Sequence, residues 1–534
     1  MFNYLYKKLK FIQLKSPKVN NETIESKTLQ PRISTCLKDN LDTLKNILGS
    51  SNDIIYRDFS FGSKRQINAA VIFLEGMTEK ETINEIIIKP FMYDSRLYNL
   101  ESELELGDIT VVKKCMLSVG NVKQVKSINE IIDGCLSGDT IFLMEGCNQA
   151  LVIHSRGWET RGVEEPKTEA VVRGPREGFC ETISTNMTLL RRKIKNPNLT
   201  FETMQIGTQT RTNICIVYLK KVINPKLVKE IKERLNRINT DAILESGYIE
   251  QFIEDAPYSI FPTIGNSEKP DTAAAKILEG RAAILVDGTP FVLTMPMLFI
   301  EGFQNAEDYY SRMYFASLLR ILRFFSFFIS ILSPATYVML STFHQELIPT
   351  TLLFTMASSR EGVPFPAIME AGLMIITFEI LREAGVRLPR PVGQAVSIVG
   401  ALVIGEAAVT AGLVSGLMVI VVALTAVSSF VVPVYTDVAA ILRIIFLILA
   451  GTLGIFGVGI GSLVVLVHIV SLRSFGTPYL SPLAPLSIGD LKDSFIRTHL
   501  WSMFTRPRTI GWHNLKRQEP GSKPRTPTEE EDKN

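Results

Sequence analysis

Two carboxylates stand out because they lie in the most apolar part of the chain. Glu370 and Glu406 fall between residues 324 and 472, where charged residues are sparse. An ionisable group at bilayer depth is costly unless it is hydrated, paired or protonated, so such groups commonly face water, a partner or a pore. Both residues are therefore candidates for an ion path or for hydrogen bonds between helices, and the sequence leaves both interpretations open. Glu379 is expected at the membrane interface beside Arg382.

A second chemical signal is a motif that combines glycine, proline and two arginines. It consists of Arg173, Gly174, Pro175, Arg176, Glu177, Gly178 and Phe179. Two guanidinium groups flanking a glutamate could bind an anion or the carboxylate of a partner subunit, because arginine recognises such groups in bidentate fashion. A salt-bridged linker is the alternative. The spacing is neither that of a Walker loop nor that of a dinucleotide-binding loop.

Groups that commonly carry catalysis are scarce. The chain has five histidines and six cysteines, with no Cys-x-x-Cys pair and no accompanying histidine pattern. This pattern favours reduced, packed thiols over a zinc site or a disulfide framework. His154 is interpreted as a strand residue rather than a catalyst. We therefore expect no catalytic residue, metal site, cofactor or nucleic-acid partner, and expect that the protein is not an enzyme.

The membrane region is predicted from long apolar runs. Residues 324–341, 407–436 and 444–472 contain no Asp, Glu, Lys or Arg. A run of at least 18 apolar residues is typical of a membrane-spanning helix, since about 20 helical residues cross a hydrocarbon core of about 30 Å. Arginines at 312, 320 and 323 before the first span place its start in the cytosol. The expected spans cover residues 321–342, 363–381, 395–432 and 439–471.

Four crossings with both ends cytosolic satisfy the charge distribution, and four to six helical segments remain open. Residues 352–357 are too short to cross and are expected to be re-entrant or interfacial. The N-terminal residues carry five lysines without a following apolar core, so they are not expected to form a secretory signal. The polar region is accordingly expected to remain cytosolic.

The polar region shows an internal repeat, which predicts two related α/β subdomains. Residues 68–74 (NAAVIFL) resemble residues 213–219 (NICIVYL), and residues 138–146 resemble residues 280–288 at nearly the same offset. The predicted fold class is thus multi-domain α/β plus an α-helical integral membrane bundle. The expected divisions are a flexible basic lead-in (1–40), a first subdomain (41–165), a linker with the arginine motif (166–194), a second subdomain (195–305), a membrane domain (306–472) and a partly disordered cytosolic tail (473–534).

Taken together, these features resemble the A subunits of the GerA-type nutrient germinant receptors of endospore-forming bacteria. The resemblance runs from about residue 45 to residue 508. It rests on the arginine motif with Glu181, residues 186–192 (NMTLLRR), 307–310 (EDYY), 360–366 (REGVPFP), 379–385, 390–393 (RPVG), 394–400 (QAVSIVG) and Gly405.

The resemblance implies a role in the inner membrane of a dormant spore, in a complex with a polytopic B subunit and a C-subunit lipoprotein. The family detects small nutrients, mainly through the B subunit, and triggers ion release. The A subunit would then relay the signal, as a homo-oligomer that conducts ions or supports conduction. A secondary transporter is the main alternative, because helices interrupted by Gly and Pro and carrying acidic residues suit a midplane site. A membrane-anchored enzyme is a weaker alternative.

Overall fold

The computed structural model describes most of the chain in two α/β units, a helical region and a tail. The described residues are 32–49, 51–61, 67–92, 109, 112, 121–157, 166, 169, 171–387, 405–511, 514–519 and 524. Three of the sequence predictions therefore fall largely outside them: residues 1–31 of the flexible lead-in predicted for 1–40, the motifs at residues 390–400 and the disordered end of the tail. The described part of that lead-in is ordered, since a helix begins at Leu37.

The first unit is a five-stranded antiparallel sheet with helices on both faces. Its strand order is β1-β2-β4-β5-β3. The elements are α1 (Leu37–Leu48), β1 (Ile54–Phe61), β2 (Ile67–Leu74), a π-helical segment (Thr82–Ile88) continuing into α2 (Lys89–Met92), β3 (Val122–Val125), α3 (Ile128–Leu136), β4 (Thr140–Met144) and β5 (Ala150–Ile153).

The second unit has the same strand order, β6-β7-β9-β10-β8, and is also antiparallel throughout. Its elements are α4 (Ile183–Lys193), β6 (Leu199–Ile206), β7 (Thr212–Leu219), α5 (Pro225–Arg237), α6 (Ser246–Ile253), β8 (Gly265–Ser267), α7 (Pro270–Glu279), β9 (Ala282–Val286) and β10 (Val292–Met295). The two segments that resemble each other in sequence lie in β2 and β7, which are the second strand of each sheet.

Alternation along these strands explains why helices cover both faces. In β7, Ile214 and Ile216 pack with α5 and α6, whereas Cys215 and Val217 pack with α4 and α7. Successive strand residues point to opposite faces, so a strand that is apolar at every position requires cover on both sides. Helix α5 begins at Pro225, and the Asn224 side chain accepts a hydrogen bond from the Lys226 N–H, as expected for an N-cap.

A buried arginine joins the two units. Arg191 in α4 is 1% exposed, and its guanidinium donates to both carboxylate oxygens of Asp53, at 2.9 Å each. It also donates to the carbonyl of Leu199, at 3.2 Å. The loop before β1 is held against β6 as well, because the Asn52 N–H donates to the Phe201 carbonyl at 3.1 Å.

The membrane region consists of helices that follow the second unit along the chain. They are α8 (Met313–Thr342), α9 (Thr350–Arg360), α10 (Ala367–Arg387), α11 (Gly405–Thr410), α12 (Gly416–Phe430) and α13 (Thr436–Ser471), followed by short strands β11 (Arg473–Ser474) and β12 (Thr477–Pro478). By length and composition alone, two helical segments among the described residues could cross a membrane: Met313–Thr342 and, counted as one segment, Pro433–Ser471. Their outward faces remain apolar: Phe325 is 61% exposed and Phe456 is 74% exposed.

Helix α13 is a hairpin of two arms rather than one straight rod. Gly454 has non-helical backbone angles, φ 60° and ψ −136°. Tyr435 and His468 both lie beside Phe261, with ring-centroid distances of 6.4 Å and 6.1 Å. In a straight helix these two residues would be about 50 Å apart. The chain therefore reverses at Gly454, and both ends of α13 lie at the same end of the bundle.

Close packing of glycines holds the two arms together. A β-carbon added at Gly457 would lie 2.3 Å from the Leu449 carbonyl oxygen, and one added at Gly461 would lie 3.1 Å from Phe446 Cε1. At the reversal, the Ile455 N–H donates to His344 Nε2 at 3.2 Å. The expected single crossing over residues 439–471 is therefore wrong: the first arm leads away from the α/β units and the second arm returns. Residues 444–472 contain no charged residue, so hydropathy alone gave no sign of the turn.

The buried ion pair between the units leads to the first testable expectation. Arg191→Leu leaves the Asp53 carboxylate buried without its cation, which costs about 3–5 kcal/mol of unfolding free energy. Arg192→Leu is the matched control, because the partly exposed Arg192 pairs with Glu177 and such pairs contribute about 1 kcal/mol or less. The measurement is urea unfolding of the full chain in detergent. Equal losses in both variants would contradict a special role for Arg191.

The hairpin can be tested by sided cysteine labelling of the chain in sealed membranes. Val434→Cys and Ser471→Cys should react with a membrane-impermeant thiol reagent from the same side, and Thr452→Cys from the opposite side, because the chain reverses at Gly454. Each signal is compared with that of the unsubstituted chain, which carries the six native cysteines. Labelling of positions 434 and 471 from opposite sides would show that α13 crosses only once.

Candidate functional site

A network of charged side chains centres on a buried aspartate just before the first membrane helix. Asp308 is 2% exposed and lies in the short helix Ala306–Tyr309. Its carboxylate accepts hydrogen bonds from Arg320 Nε at 3.0 Å and from the Arg323 guanidinium at 2.8 Å. Two arginines on successive turns of α8 are thereby fixed to the segment that leaves the second α/β unit.

The tail completes this network from the other side. Arg320 also donates to Asp493 Oδ1 at 2.8 Å, and the Tyr309 hydroxyl donates to Asp493 Oδ2 at 2.8 Å. Burial raises the pKa of Tyr309, so the phenol stays protonated and available as a donor. From the sequence, Arg320 and Arg323 served only to predict the orientation of the first span. In the structure both lie within α8 and both are paired.

A second ionic cluster lies next to this network in the second unit. Glu301 accepts a hydrogen bond from Arg281 and lies 3.4 Å from Lys276 Nζ. Burial alone would raise the pKa of Glu301, but Arg281 and Lys276 lower it below the ordinary value, so the carboxylate is ionised at neutral pH. The second unit therefore presents an ionised buried carboxylate to the start of the membrane region.

The arginine motif packs against the same junction. The Arg173 N–H donates to Glu307 Oε1 at 3.3 Å. Gly174 has a φ of +148°, and a β-carbon there would lie 2.8 Å from two ring carbons of Tyr310. The motif thus touches residues 307–310, a segment far away in sequence, and Gly174 is needed for both its backbone conformation and the close approach.

The remaining motif residues tie the linker to the second unit. Glu177 pairs with Arg192 at 3.1 Å and with Lys193 at 3.4 Å, both in α4. Phe179 is buried, and its N–H donates to the Glu268 carbonyl at 2.7 Å. Gly178 is buried as well, whereas Arg173 and Arg176 are exposed at the surface. Glu177 therefore ties the linker to α4.

Glu370 connects helices inside the bundle. Its side chain is fully buried, and Oε1 accepts hydrogen bonds from both the N–H and the hydroxyl of Ser415, at 2.5 Å each. Ser415 is the N-cap of α12, so this contact joins the first turn of α10 to the start of α12. Arg360 Nε lies 3.8 Å from the other oxygen of Glu370. The arrangement is that of an interhelical contact.

Glu406 has a different environment. It is exposed on the short helix α11. Across the residues described by the structure, no hydrogen bond or ion pair joins it to Glu370. The two carboxylates grouped by the sequence analysis therefore have separate surroundings, one buried and bonded and the other open.

A buried arginine inside the first arm of α13 is the residue that the sequence analysis missed. Arg443 is 1% exposed, pairs with Glu379 at 2.9 Å and donates to the Ser330 carbonyl of α8 at 2.8 Å. Glu379 also pairs with Arg382 at 2.9 Å. The signal was available, since a single arginine within an apolar helix marks a site that requires a partner. This pair links α8, α10 and α13.

These contacts join parts of the chain that are distant in sequence. In the part of the chain that is described, no group of three or more His, Cys, Asp or Glu residues could hold a metal ion. His154, which lies just beyond β5, pairs with Asp139 at 3.0 Å. The bonded groups instead link the second α/β unit, the first membrane helix and the tail.

Comparison with known proteins identifies the family. Residues 42–509 match the family described as Bacillus/Clostridium GerA spore germination protein. Spore germination protein KA of Bacillus subtilis (strain 168) is 46% identical over 92% of this chain and 90% of its own length. Spore germination protein GerLA of Bacillus cereus is 40% identical over 88% of this chain and 94% of its own length.

A solved structure is also similar to the chain. It is the crystal structure of the N-terminal domain of the A subunit of the Bacillus megaterium spore germinant receptor GerK3, with 36% identity and a TM-score of 0.38. The match covers 50% of this chain and 98% of that domain. From the family match and the full-length relatives, this chain belongs to the GerA family of spore germination proteins.

Proposed function

We propose that this chain is the A subunit of a nutrient germinant receptor in the spore inner membrane, where it relays nutrient sensing to ion release. Family membership and the names of its full-length relatives support a role in germination. The proposed role is non-catalytic. A polytopic B subunit and a C-subunit lipoprotein would be its partners, with the nutrient recognised mainly through the B subunit.

The proposed relay of the signal rests on the buried network of ion pairs at Asp308. One carboxylate holds two arginines of α8, and one of these arginines also holds the tail through Asp493. Breaking one partner of a buried ion pair is strongly destabilising, so these three parts of the chain resist separation. A displacement of the second α/β unit would therefore be transmitted to the first membrane helix.

The exposed apolar faces of α8 and α13 support an oligomer in the membrane. Phe325, Ile460 and Leu463 are each about 60% exposed, which suits contact with lipid or with further copies of the chain. In such an assembly, the open carboxylate of Glu406 is the candidate for an ion path, and Glu370 is the candidate for holding helices together. Both ends of the chain would lie on the cytosolic side.

The proposed function can be tested with spores whose only receptor genes are those for this chain and its B and C partners. Such spores should release cations after addition of at least one nutrient from a panel of amino acids, sugars and nucleosides. Spores that lack only the gene for this chain should not respond. A normal response without this chain would exclude it as a required subunit.

The separate roles of the two carboxylates lead to a further test. Glu370→Gln keeps an oxygen acceptor for Ser415, so release rates and protein levels should remain close to those of the wild type. Glu370→Leu leaves the Ser415 donors unpaired, at a cost of about 1–3 kcal/mol, and should lower the amount of assembled protein. Glu406→Gln should slow cation release at normal protein levels, because it removes an exposed charge.

Glu383→Gln is the matched control for these variants, since Glu383 is exposed on α10 and forms a surface ion pair with Arg387. Cation release and an immunoblot of the A, B and C subunits are measured together. Normal release from Glu406→Gln spores at normal protein levels would remove Glu406 from the ion path. A loss of release in Glu370→Gln spores with intact assembly would contradict the purely structural role of Glu370.

A further inference from the structure

A cavity of about 490 Å³ lies where the second α/β unit meets the membrane region and the tail. Its walls come from α7, the segment before α8, the first residues of α13 and Arg517 of the tail. The volume falls within the range of about 300–1,000 Å³ that is usual for sites that bind small molecules. The cavity does not overlap Glu370, Glu406 or the Asp308 carboxylate.

The walls carry more acidic than basic side chains. The acidic residues are Glu169, Asp271, Glu279, Glu301 and Asp437, and the basic residues are Lys276, Arg281 and Arg517. Burial raises the pKa of Glu169 and of Glu279, because the cost of removing each carboxylate from water exceeds the stabilisation that nearby cations provide. A ligand with positive charge would relieve this cost, since it supplies the missing counter-charge.

The decisive group is Asp271, whose side chain is nine-tenths buried (10% exposed). Its Oδ2 atom accepts a hydrogen bond from the Tyr310 hydroxyl and lies 3.9 Å from Lys269 Nζ. Its Oδ1 atom is buried and has no hydrogen-bond partner among the described residues. A buried carboxylate oxygen without a donor is unusual and costly, so it points to a donor that enters the cavity.

Two further unpartnered atoms lie on the same walls. Oε2 of Glu301 is buried without a hydrogen bond among the residues described, although Lys276 lies 3.4 Å away. Nε of Arg281 is likewise a buried donor without an acceptor in that part of the structure. The cavity walls therefore present two unpartnered acceptors, at Asp271 and Glu301, and one unpartnered donor, at Arg281; the buried Lys269 Nζ behind Asp271 also has no hydrogen-bond partner among the described residues. The excess of carboxylates on the walls favours a ligand with a net positive charge.

We propose that this cavity binds a primary ammonium group with a neighbouring oxygen acceptor, as in an amino alcohol. The ammonium group has three N–H donors for Asp271 and Glu301, and the ligand oxygen can accept from Arg281. A divalent metal ion fits less well, because the described residues offer no cluster of three or more suitable ligands. The same chemistry occurs in a free amine and in an ethanolamine lipid headgroup.

Binding at this position would connect parts of the chain that are distant in sequence. Tyr310 lines the cavity and also contacts Gly174 of the arginine motif. Val434 and Asp437 belong to the start of the hairpin, and Arg517 belongs to the tail. A ligand held by Asp271 would therefore stabilise one arrangement of linker, hairpin and tail, because binding favours the state that forms the site.

The test uses ethanolamine and the full chain in nanodiscs of phosphatidylcholine, whose headgroup has no N–H donor. Saturating ethanolamine should raise the melting temperature by about 2 °C or more. Tetramethylammonium and potassium ions should leave it unchanged, since neither donates a hydrogen bond. An equal shift with potassium would show an inorganic cation site and overturn the proposal, as would no shift with ethanolamine.

The site is assigned with Asp271→Asn, which keeps an oxygen for Tyr310 but removes the charge. This variant should weaken ethanolamine binding by about tenfold or more, measured by calorimetry in the same nanodiscs. Asp42→Asn, at an exposed position of α1, is the matched control and should bind like the wild type. Unchanged affinity in Asp271→Asn would overturn the assignment to this cavity.

Nanodiscs of a second lipid distinguish a lipid headgroup from a free amine as the source of the ammonium group. If phosphatidylethanolamine fills the cavity, ethanolamine binding should disappear in nanodiscs of that lipid and persist in phosphatidylcholine. If the ligand is a free amine, binding should persist in both lipids. Both results support the ammonium site, and absence of binding in both lipids contradicts it.

Discussion

The whole arrangement depends on one desolvated carboxylate, that of Asp308. It is held by two arginines of the first membrane helix, and it has no alternative solvation by water because the side chain is buried. A charge in that position is tolerated only when its partners are fixed in place. The position of α8 relative to the second α/β unit is therefore set by electrostatics, and the aromatic residues around Phe299, Phe303 and Tyr435 pack around that constraint.

Local pattern was sufficient to predict the α/β units, because the internal repeat can be recognised residue by residue. The segments at residues 68–74 and 213–219 occupy equivalent strands for that reason. The reversal at Gly454 could not be predicted in the same way. Its stretch contains five glycines between residues 451 and 461 and no charge, so hydropathy gives one continuous signal. Only contacts between residues such as Phe446 and Gly461 reveal two arms.

For the candidate sites too, composition identified individual residues, whereas only the structure gave their partners. Apolar surroundings identified Glu370 and Glu406, but the partner that distinguishes them is Ser415, an ordinary residue in sequence. Arg443 was overlooked because its neighbours make one of the most apolar runs in the chain. The Gly174 contact with Tyr310 spans more than a hundred residues, and no local rule relates the two. Contacts between residues that are distant in sequence are thus what could not be predicted from the sequence.

In a bilayer, the hairpin would also affect the surrounding lipid. Each of its arms is about 26 Å long, because about 17 residues rise 1.5 Å each, whereas α8 with its 30 residues is about 45 Å long. The arms are thus shorter than a hydrocarbon core of about 30 Å, while α8 exceeds it. Such hydrophobic mismatch is accommodated by local thinning of the bilayer and by helix tilt, at a fraction of a kcal/mol per Å. In a bilayer, the stability of the folded bundle would therefore depend on membrane thickness. The length of the lipid acyl chains would change that stability without any contact to a polar group of the protein.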